Sequence, residues 1–295
     1  MSTTETWTVG RLLTWTADFL KQQGSSSPRL DAEILLAHAS KCERIELYTA
    51  FSDEASEEVR TAFREMVRRR AEGTPVAYLV GYKEFYSEKF EVNPDVLIPR
   101  PETEHLVIEA LDRAKVMQEQ APDKHLHIAD VGTGSGIVAL TLAREIATAQ
   151  VDAIDVSEAA LEVAKRNAVN LGIDEKRVRF LRSDLLEACE PESKYDLIVS
   201  NPPYVSEAEF NELETTVREF EPKQALVAGP KGSEVIHRLI AQSQHRLAPQ
   251  GWLIFEFSPM LEEEIKHIDA PEWNMPLISK DLAGHARIVA MQLKN

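Results

Sequence analysis

At 295 residues the chain is long enough for one large domain and a smaller one, with ample material for packed cores. Its hydrophobic residues (43%) include no run near the roughly 20 needed to cross a bilayer, and its N-terminus lacks the basic and apolar regions of a secretion signal. Two cysteines far apart, Cys42 and Cys189, read as reduced thiols of a cytoplasmic protein. The net charge of −16, of which −14 lies in residues 81–295, argues against nucleic acid or a membrane surface as partner.

Three helical segments come first. "TVGRLLTWTADFLKQQG" sets Val9, Leu12, Leu13 and Phe19 on one face and stops at Gly24, and "SPRLDAEILLAHASKC" repeats the spacing with Leu30, Ile34, Leu35 and Ala39. "DEASEEVRTAFREMVRRRAEG" begins with acids and ends with arginines before Gly73, matching the helix dipole at both ends. A small all-helical domain over residues 1–80 follows, with nothing catalytic in it. Its basic run, Arg68, Arg69 and Arg70, reads as a solvated helix end rather than a contact for an acidic partner. Residues 81–100 change character, and "EFYSEKFEVNPDVLI", split by Asn93-Pro94, suggests a β-hairpin linker. "PRPETEHLVIEALDRA" then opens a helix with Pro101 in its first turn.

From His125 onward strand and helix alternate. Strands are predicted at "LHIADVG", "QVDAIDV", "RVRFLRSD", "YDLIVSN" and "WLIFEFS", with two more at "MPLISKD" and "ARIVAMQL". This is the pattern of an α/β fold: a seven-stranded, mostly parallel sheet covered by helices on both faces, over residues 101–295. Ligands on such sheets sit beyond the carboxyl ends of the strands. His125 and His127 flank one strand without a third ligand and read as surface residues, so no metal is expected.

The chemistry-bearing residues fall at those strand ends. Gly132, Thr133, Gly134, Ser135 and Gly136 form a G-x-G-x-G loop between the first sheet strand and its helix, where glycine lets the backbone turn and approach a ligand. A dinucleotide fingerprint would need glycine at Ile137, and no Walker lysine is present. Asp155 ends the next strand, where a carboxylate can take both hydroxyls of a ribose; the alternative is a cap on the following helix, which Ser157 can provide alone. Asp184 can accept from an adenine amino group at the third strand end, and Leu185 can pack on the ring. Together these suit a cofactor carrying a nucleoside.

The fourth strand delivers Asn201-Pro202-Pro203-Tyr204 to the same crevice. Asn201 offers an acceptor on a short stem, the prolines fix the turn and leave the Pro202 carbonyl unpaired, and Tyr204 supplies a flat face. The set fits a planar NH2 group whose two protons need two acceptors.

"GTGSG", Asp155, "SDL" and "NPPY" together resemble a class I S-adenosylmethionine-dependent methyltransferase (Rossmann-like) acting on an amide or amino nitrogen. With "GTPVAYLVGYKEFYSEKFEVNPDVLIPRPETEHLV" and "KDLAGHARIVAM", the chain resembles the release factor glutamine methyltransferases (the PrmC/HemK family) over nearly its whole length. It departs at Glu256-Phe257-Ser258, where the family usually has Glu-x-Gly, and in "AGPKGSE", where the family tends to carry an acid. The resemblance implies S-adenosyl-L-methionine as cofactor, held by residues 132–136, Asp155, Asp184, Leu185 and Asn201. It implies methylation of the Gln in the Gly-Gly-Gln motif of bacterial class 1 peptide chain release factors, with Asn201, Pro202 and Tyr204 catalytic and Pro203 beside the substrate. The expected protein is a cytoplasmic monomer whose helical domain docks the substrate, without direct nucleic-acid or membrane contact. The rivals are a base N-methyltransferase, which would need a basic surface that the acidic catalytic half lacks, and a cofactor-binding regulator, which would not need Asn-Pro-Pro-Tyr.

Overall fold

Two of the helix starts in the N-terminal region are set by hydroxyl caps. In the computed structural model, which describes residues 6–268 and 270–294, Thr8 Oγ1 accepts from the Arg11 N–H to open α1 (Val9–Gln22), and Ser56 Oγ accepts from the Val59 N–H to open α4 (Glu57–Ala71). Between them lie α2 (Pro28–Ser40) and the short α3 (Glu46–Thr49), and α5 (Val76–Val80) follows. Leu13, Leu20, Leu35, Leu36 and Phe63 fill their common core. The arginine run is only partly solvated. Arg68 pairs with Glu65 on its own helix and with Glu72 just after it, whereas Arg70 reaches inward to Asp31 of α2 at 2.8 Å.

The chain divides into two compact units, one of residues up to Tyr82 with Glu214–Phe220, the other of Lys83–Leu213 and Glu221 onward. The hairpin pairs β1 (Tyr82–Phe85) with β2 (Glu88–Glu91). It turns at Tyr86-Ser87, with φ of 50° and 64°, and not at Asn93-Pro94. Two-residue hairpin turns of the mirror type need positive φ at both centres, and here neither residue is the glycine or asparagine that would advertise it. Asn93 instead follows β2 and accepts the Asp95 N–H on its side chain, a local turn of its own.

A 3-10 turn (Pro101–Thr103) leads into α6 (Glu104–Gln120). Then come β3 (His127–Val131), α7 (Ile137–Glu145), β4 (Gln150–Asp155), α8 (Glu158–Asn170), β5 (Val178–Arg182) and β6 (Tyr195–Ser200). A small parallel pair, β7 (Val205–Ser206) with β8 (Val227–Gly229), brackets α9 (Glu207–Phe210) and α10 (Thr215–Phe220), the latter counted with the first unit. The chain continues with α11 (Glu234–Gln244), β9 (Leu247–Glu256), α12 (Glu262–Lys266), β10 (Leu277–Lys280) and β11 (Ala286–Gln292).

The sheet order is β10-β11-β9-β6-β3-β4-β5, with β11 antiparallel to both neighbours and the five strands from β9 to β5 paired in parallel. One core, around Leu106, Ile128, Leu140 and Ile254, covers one face, and a second, around Ile154, Ile198, Leu239 and Phe255, covers the other. The register pairs Val131 with Ile154 and Ser200, Asp155 with Arg182, and Ser200 with Phe255. All five parallel strands therefore end along one edge, and each hands its next residues to the same crevice.

Candidate active site

The crevice encloses about 340 Å³, within the range of small-molecule sites. Its floor is the glycine loop. Gly132 and Thr133 both donate backbone N–H bonds to the Ile154 carbonyl, and Asn167 Nδ2 donates to the Ser135 carbonyl. Inside the loop Asp130, fully buried, accepts from the Thr133 hydroxyl (2.7 Å) and the Ala139 N–H (2.9 Å). Burial pushes its carboxyl up to about 7, against the pull of those two bonds. Gly134 has φ of 55° and nothing within 4 Å of the place a Cβ would take, so this part of the loop is open to a ligand. Gly136 has φ of 85°, and a Cβ there would also stand 3.0 Å from Leu140 and 3.1 Å from Ala164.

Asp155 lies beside the loop with both oxygens already engaged. One accepts from the Gly134 N–H and the other from the Ser157 N–H, each at 2.9 Å. Ser157 itself caps α8 through the Ala160 N–H, so Asp155 is not needed for that cap. Burial holds the Asp155 carboxyl above the usual range while the backbone N–H groups favour the anion. Each oxygen keeps a lone-pair direction for a further donor. At the third strand end Leu185, with φ of 51°, and Asp184 line the crevice, and Arg238 of α11 donates to Asp184 Oδ2 at 2.8 Å. That guanidinium contact was not foreseen from sequence.

Asn201 and Pro203 also line the crevice; Gly136, Pro202 and Tyr204 are not among the lining residues. Pro202 is buried, and the Tyr204 hydroxyl donates to Glu256 Oε1 at 3.0 Å. Burial, then the neighbouring Glu256 charge, pushes the Tyr204 phenol well above its ordinary value. Tyr204 thus braces the Pro-Pro turn from behind. Thr103, wholly buried, donates to Glu256 Oε2 (2.8 Å) and accepts from Asn201 Nδ2 (3.1 Å). Burial raises the Glu256 carboxyl, opposed by the Thr103 and Tyr204 hydroxyls and the Arg287 guanidinium. A further buried acid, Glu221, accepts from the Ile98 N–H (3.0 Å) and from Arg100 (2.6 Å), holding Arg100 at the crevice.

The two departures from the family pattern are accommodated locally. Ser258 has φ of −70°, which any residue adopts, and its hydroxyl accepts from the Met260 N–H to open the next 3-10 turn (Pro259–Leu261). In "AGPKGSE", Gly232 has φ of 86° and a Cβ there would come within 2.7 Å of the Tyr204 carbonyl. That loop presses on the backbone of the Asn-Pro-Pro-Tyr turn. Among the described residues no cluster of metal-binding side chains occurs, and His125 and His127 are both exposed.

Comparison with known proteins gives the same outline. A family described as the PrmC N-terminal domain matches residues 11–81, and one described as the methyltransferase small domain matches residues 108–223. Release factor glutamine methyltransferase of Rhodopirellula baltica is 53% identical over 288 residues, covering 97% of this chain and 96% of that protein. Its counterpart in Koribacter versatilis is 40% identical, covering 92% and 93%. Among solved structures, the hMettl16 catalytic domain in complex with MAT2A 3'UTR hairpin 6 has a TM-score of 0.54 at 15% identity, covering 78% of this chain and 82% of that one. That likeness concerns the fold alone.

Proposed function

Because the chain belongs to the release factor glutamine methyltransferase family, we propose that it methylates the side-chain amide nitrogen of a release factor glutamine, the Gln of a Gly-Gly-Gln motif. The observation that carries the reading is the posture of Asn201: its amide nitrogen is tied to Thr103, which leaves Oδ1 as an acceptor beside the glycine loop.

The crevice suits S-adenosylmethionine on its own terms. The open space over Gly134 admits a ligand against the backbone, and Asp155 retains acceptor capacity for ribose hydroxyls. Asp184 keeps one oxygen outside its Arg238 contact for an adenine amino group, and Leu185 offers an apolar face. When bound, S-adenosylmethionine supplies an electrophilic methyl on a sulfonium. The protein must improve and aim a poor amide nucleophile. Asn201 Oδ1 would hold one amide proton and the Pro202 backbone carbonyl, although the residue itself is buried, the other, leaving the nitrogen lone pair free for the methyl. Pro203 walls the acceptor side and Tyr204 stiffens the turn. Adding a methyl to the neutral amide nitrogen gives an N-protonated cation that is acidic enough to lose a proton to water and leave the neutral N-methyl amide, so no strong base is required. Alignment of this kind can contribute roughly 7–11 kcal/mol to lowering a barrier.

We assign substrate docking to the N-terminal helices, where Ile45 is 73% exposed. Among the described residues no helix is long and apolar enough to cross a membrane. We take the enzyme as a cytoplasmic monomer with a protein acceptor, in keeping with the charge of −14 over residues 81–295. The test is methyl transfer from labelled S-adenosylmethionine to full-length release factor, tRNA, DNA or buffer, read by mass spectrometry of the acceptor. One methyl on the Gln is expected, and strongly slowed transfer when that Gln is replaced by Asn, one methylene shorter. Transfer to nucleic acid with none to release factor would reject the assignment.

A further inference from the structure

Glu256 is 1% exposed, at the end of a core strand, and its two oxygens are held by hydroxyls, from Thr103 and Tyr204. A buried carboxylate is costly to keep unless its neighbours compensate it. Burial raises the Glu256 carboxyl, and the two hydroxyls and the Arg287 guanidinium favour the anion against it. Both oxygens accept, and an acceptor on that side fixes the direction of the Thr103 proton. As the anion those neighbours favour, the carboxylate only accepts. The single Thr103 proton must therefore point at Glu256, and Thr103 Oγ1 turns lone pairs toward Asn201. Only the NH2 end of the Asn201 carboxamide can face those lone pairs, and Oδ1 is left for the crevice.

We propose that Glu256 is a positioning residue for the methyl transfer: acting through Thr103, it locks Asn201 in the orientation that presents Oδ1 to the acceptor amide. The inference rests on the role given to Asn201 above, but the lock itself is a property of the free protein. A neutral side chain at position 256 leaves the Thr103 proton free to turn. Thr103 could then donate to Asn201 Oδ1, and the carboxamide would present two N–H groups to an acceptor that also brings N–H groups. The same anion holds the Tyr204 hydroxyl, so one buried charge sets both ends of the Asn-Pro-Pro-Tyr turn.

The experiment compares Thr103→Val, which keeps shape and removes the hydroxyl, with Thr103→Ser, which restores it. Two readouts are taken on full-length protein. The first is kcat and KM for release factor together with the Kd of S-adenosylmethionine. The second, on protein without cofactor, is solvent exchange of the Asn201 side-chain amide by nitrogen-15 NMR, assigned by its loss in Asn201→Ala. Thr103→Val is expected to lower kcat about 10- to 100-fold, with cofactor Kd within a few fold, and to speed exchange of that amide at least about tenfold, since its buried acceptor is gone. Thr103→Ser is expected to recover most of both. If Thr103→Val does not fold, Glu256→Gln carries the test, with the same expected fall in kcat. Wild-type kcat and unchanged amide exchange in a folded variant overturn the proposal. If the wild-type protein leaves release factor unmethylated, the assignment of function falls, while the exchange contrast still decides the lock.

Discussion

Replacing Asp155 by Ala separates its role as a strut of the glycine loop from the ribose-binding role proposed for the same carboxylate. As a strut, Asp155 receives the N–H groups of Gly134 and Ser157. Leaving a part-buried N–H without a partner costs about 1–3 kcal/mol, so two lost bonds bound the damage at about 2–6 kcal/mol. The variant also sheds a carboxylate whose burial disfavours its charge, which offsets part of that loss. A net destabilisation of about 1–3 kcal/mol is expected, measured by urea unfolding without cofactor. As a ligand, Asp155 has lone pairs left for ribose hydroxyls. Losing charge-assisted bonds of about 1.5–3 kcal/mol weakens S-adenosylmethionine by about 10- to 150-fold. Calorimetric titration at a temperature where the variant is fully folded reads that change. A variant that is destabilised yet binds the cofactor with wild-type Kd would show that Asp155 is only a strut of the loop.

Asn201→Ala is expected to cut kcat by at least about 100-fold while leaving cofactor Kd within a few fold, because the role proposed for Asn201 is to hold the acceptor amide; near wild-type turnover at saturating substrate would remove that role. Asp130→Asn tests a buried acid whose carboxyl is raised from 3.8 to about 7. Between about pH 4 and pH 7 the native Asp130 retains a proton that the unfolded chain has released, so its contribution to stability falls as pH rises through that window. Wild type should therefore lose more stability than Asp130→Asn over that range in urea unfolding, and the opposite sign would mean that Asp130 is ionised in the native state. Ile45→Asp should raise KM for release factor several-fold without changing kcat or cofactor Kd; unchanged steady-state kinetics would detach that surface from docking.

Most of the sheet was legible because each parallel strand reads as a short apolar run bounded by turn residues, and helical periodicity fills the gaps between them. The crevice followed, since parallel strands ending in register must deliver Gly132, Asp155, Asp184 and Asn201 to one edge. What stayed hidden shares a physical cause. The Tyr86-Ser87 turn carries positive φ on residues without a propensity for it, so local chemistry gave no signal. Arg70 meets Asp31 across 39 residues, and a charge run shows nothing of which member turns inward.

The same limit explains why the Asn-Pro-Pro-Tyr motif was read as four residues facing a ligand. Motif spacing places a turn at a strand end, but which side chains face outward depends on what lies behind them. Here that is Glu256 from β9, 52 residues beyond Tyr204 and 153 beyond Thr103. Because an acceptor sits behind the turn, Tyr204 points its hydroxyl inward and Asn201 its amide nitrogen sideways, and the acceptor oxygen is what remains for the crevice. A motif so braced need not present an aromatic face to be selective. An Asn whose orientation is decided by a buried charge already favours a donor-bearing amide over a group that can only accept, before any substrate surface beyond the crevice is engaged.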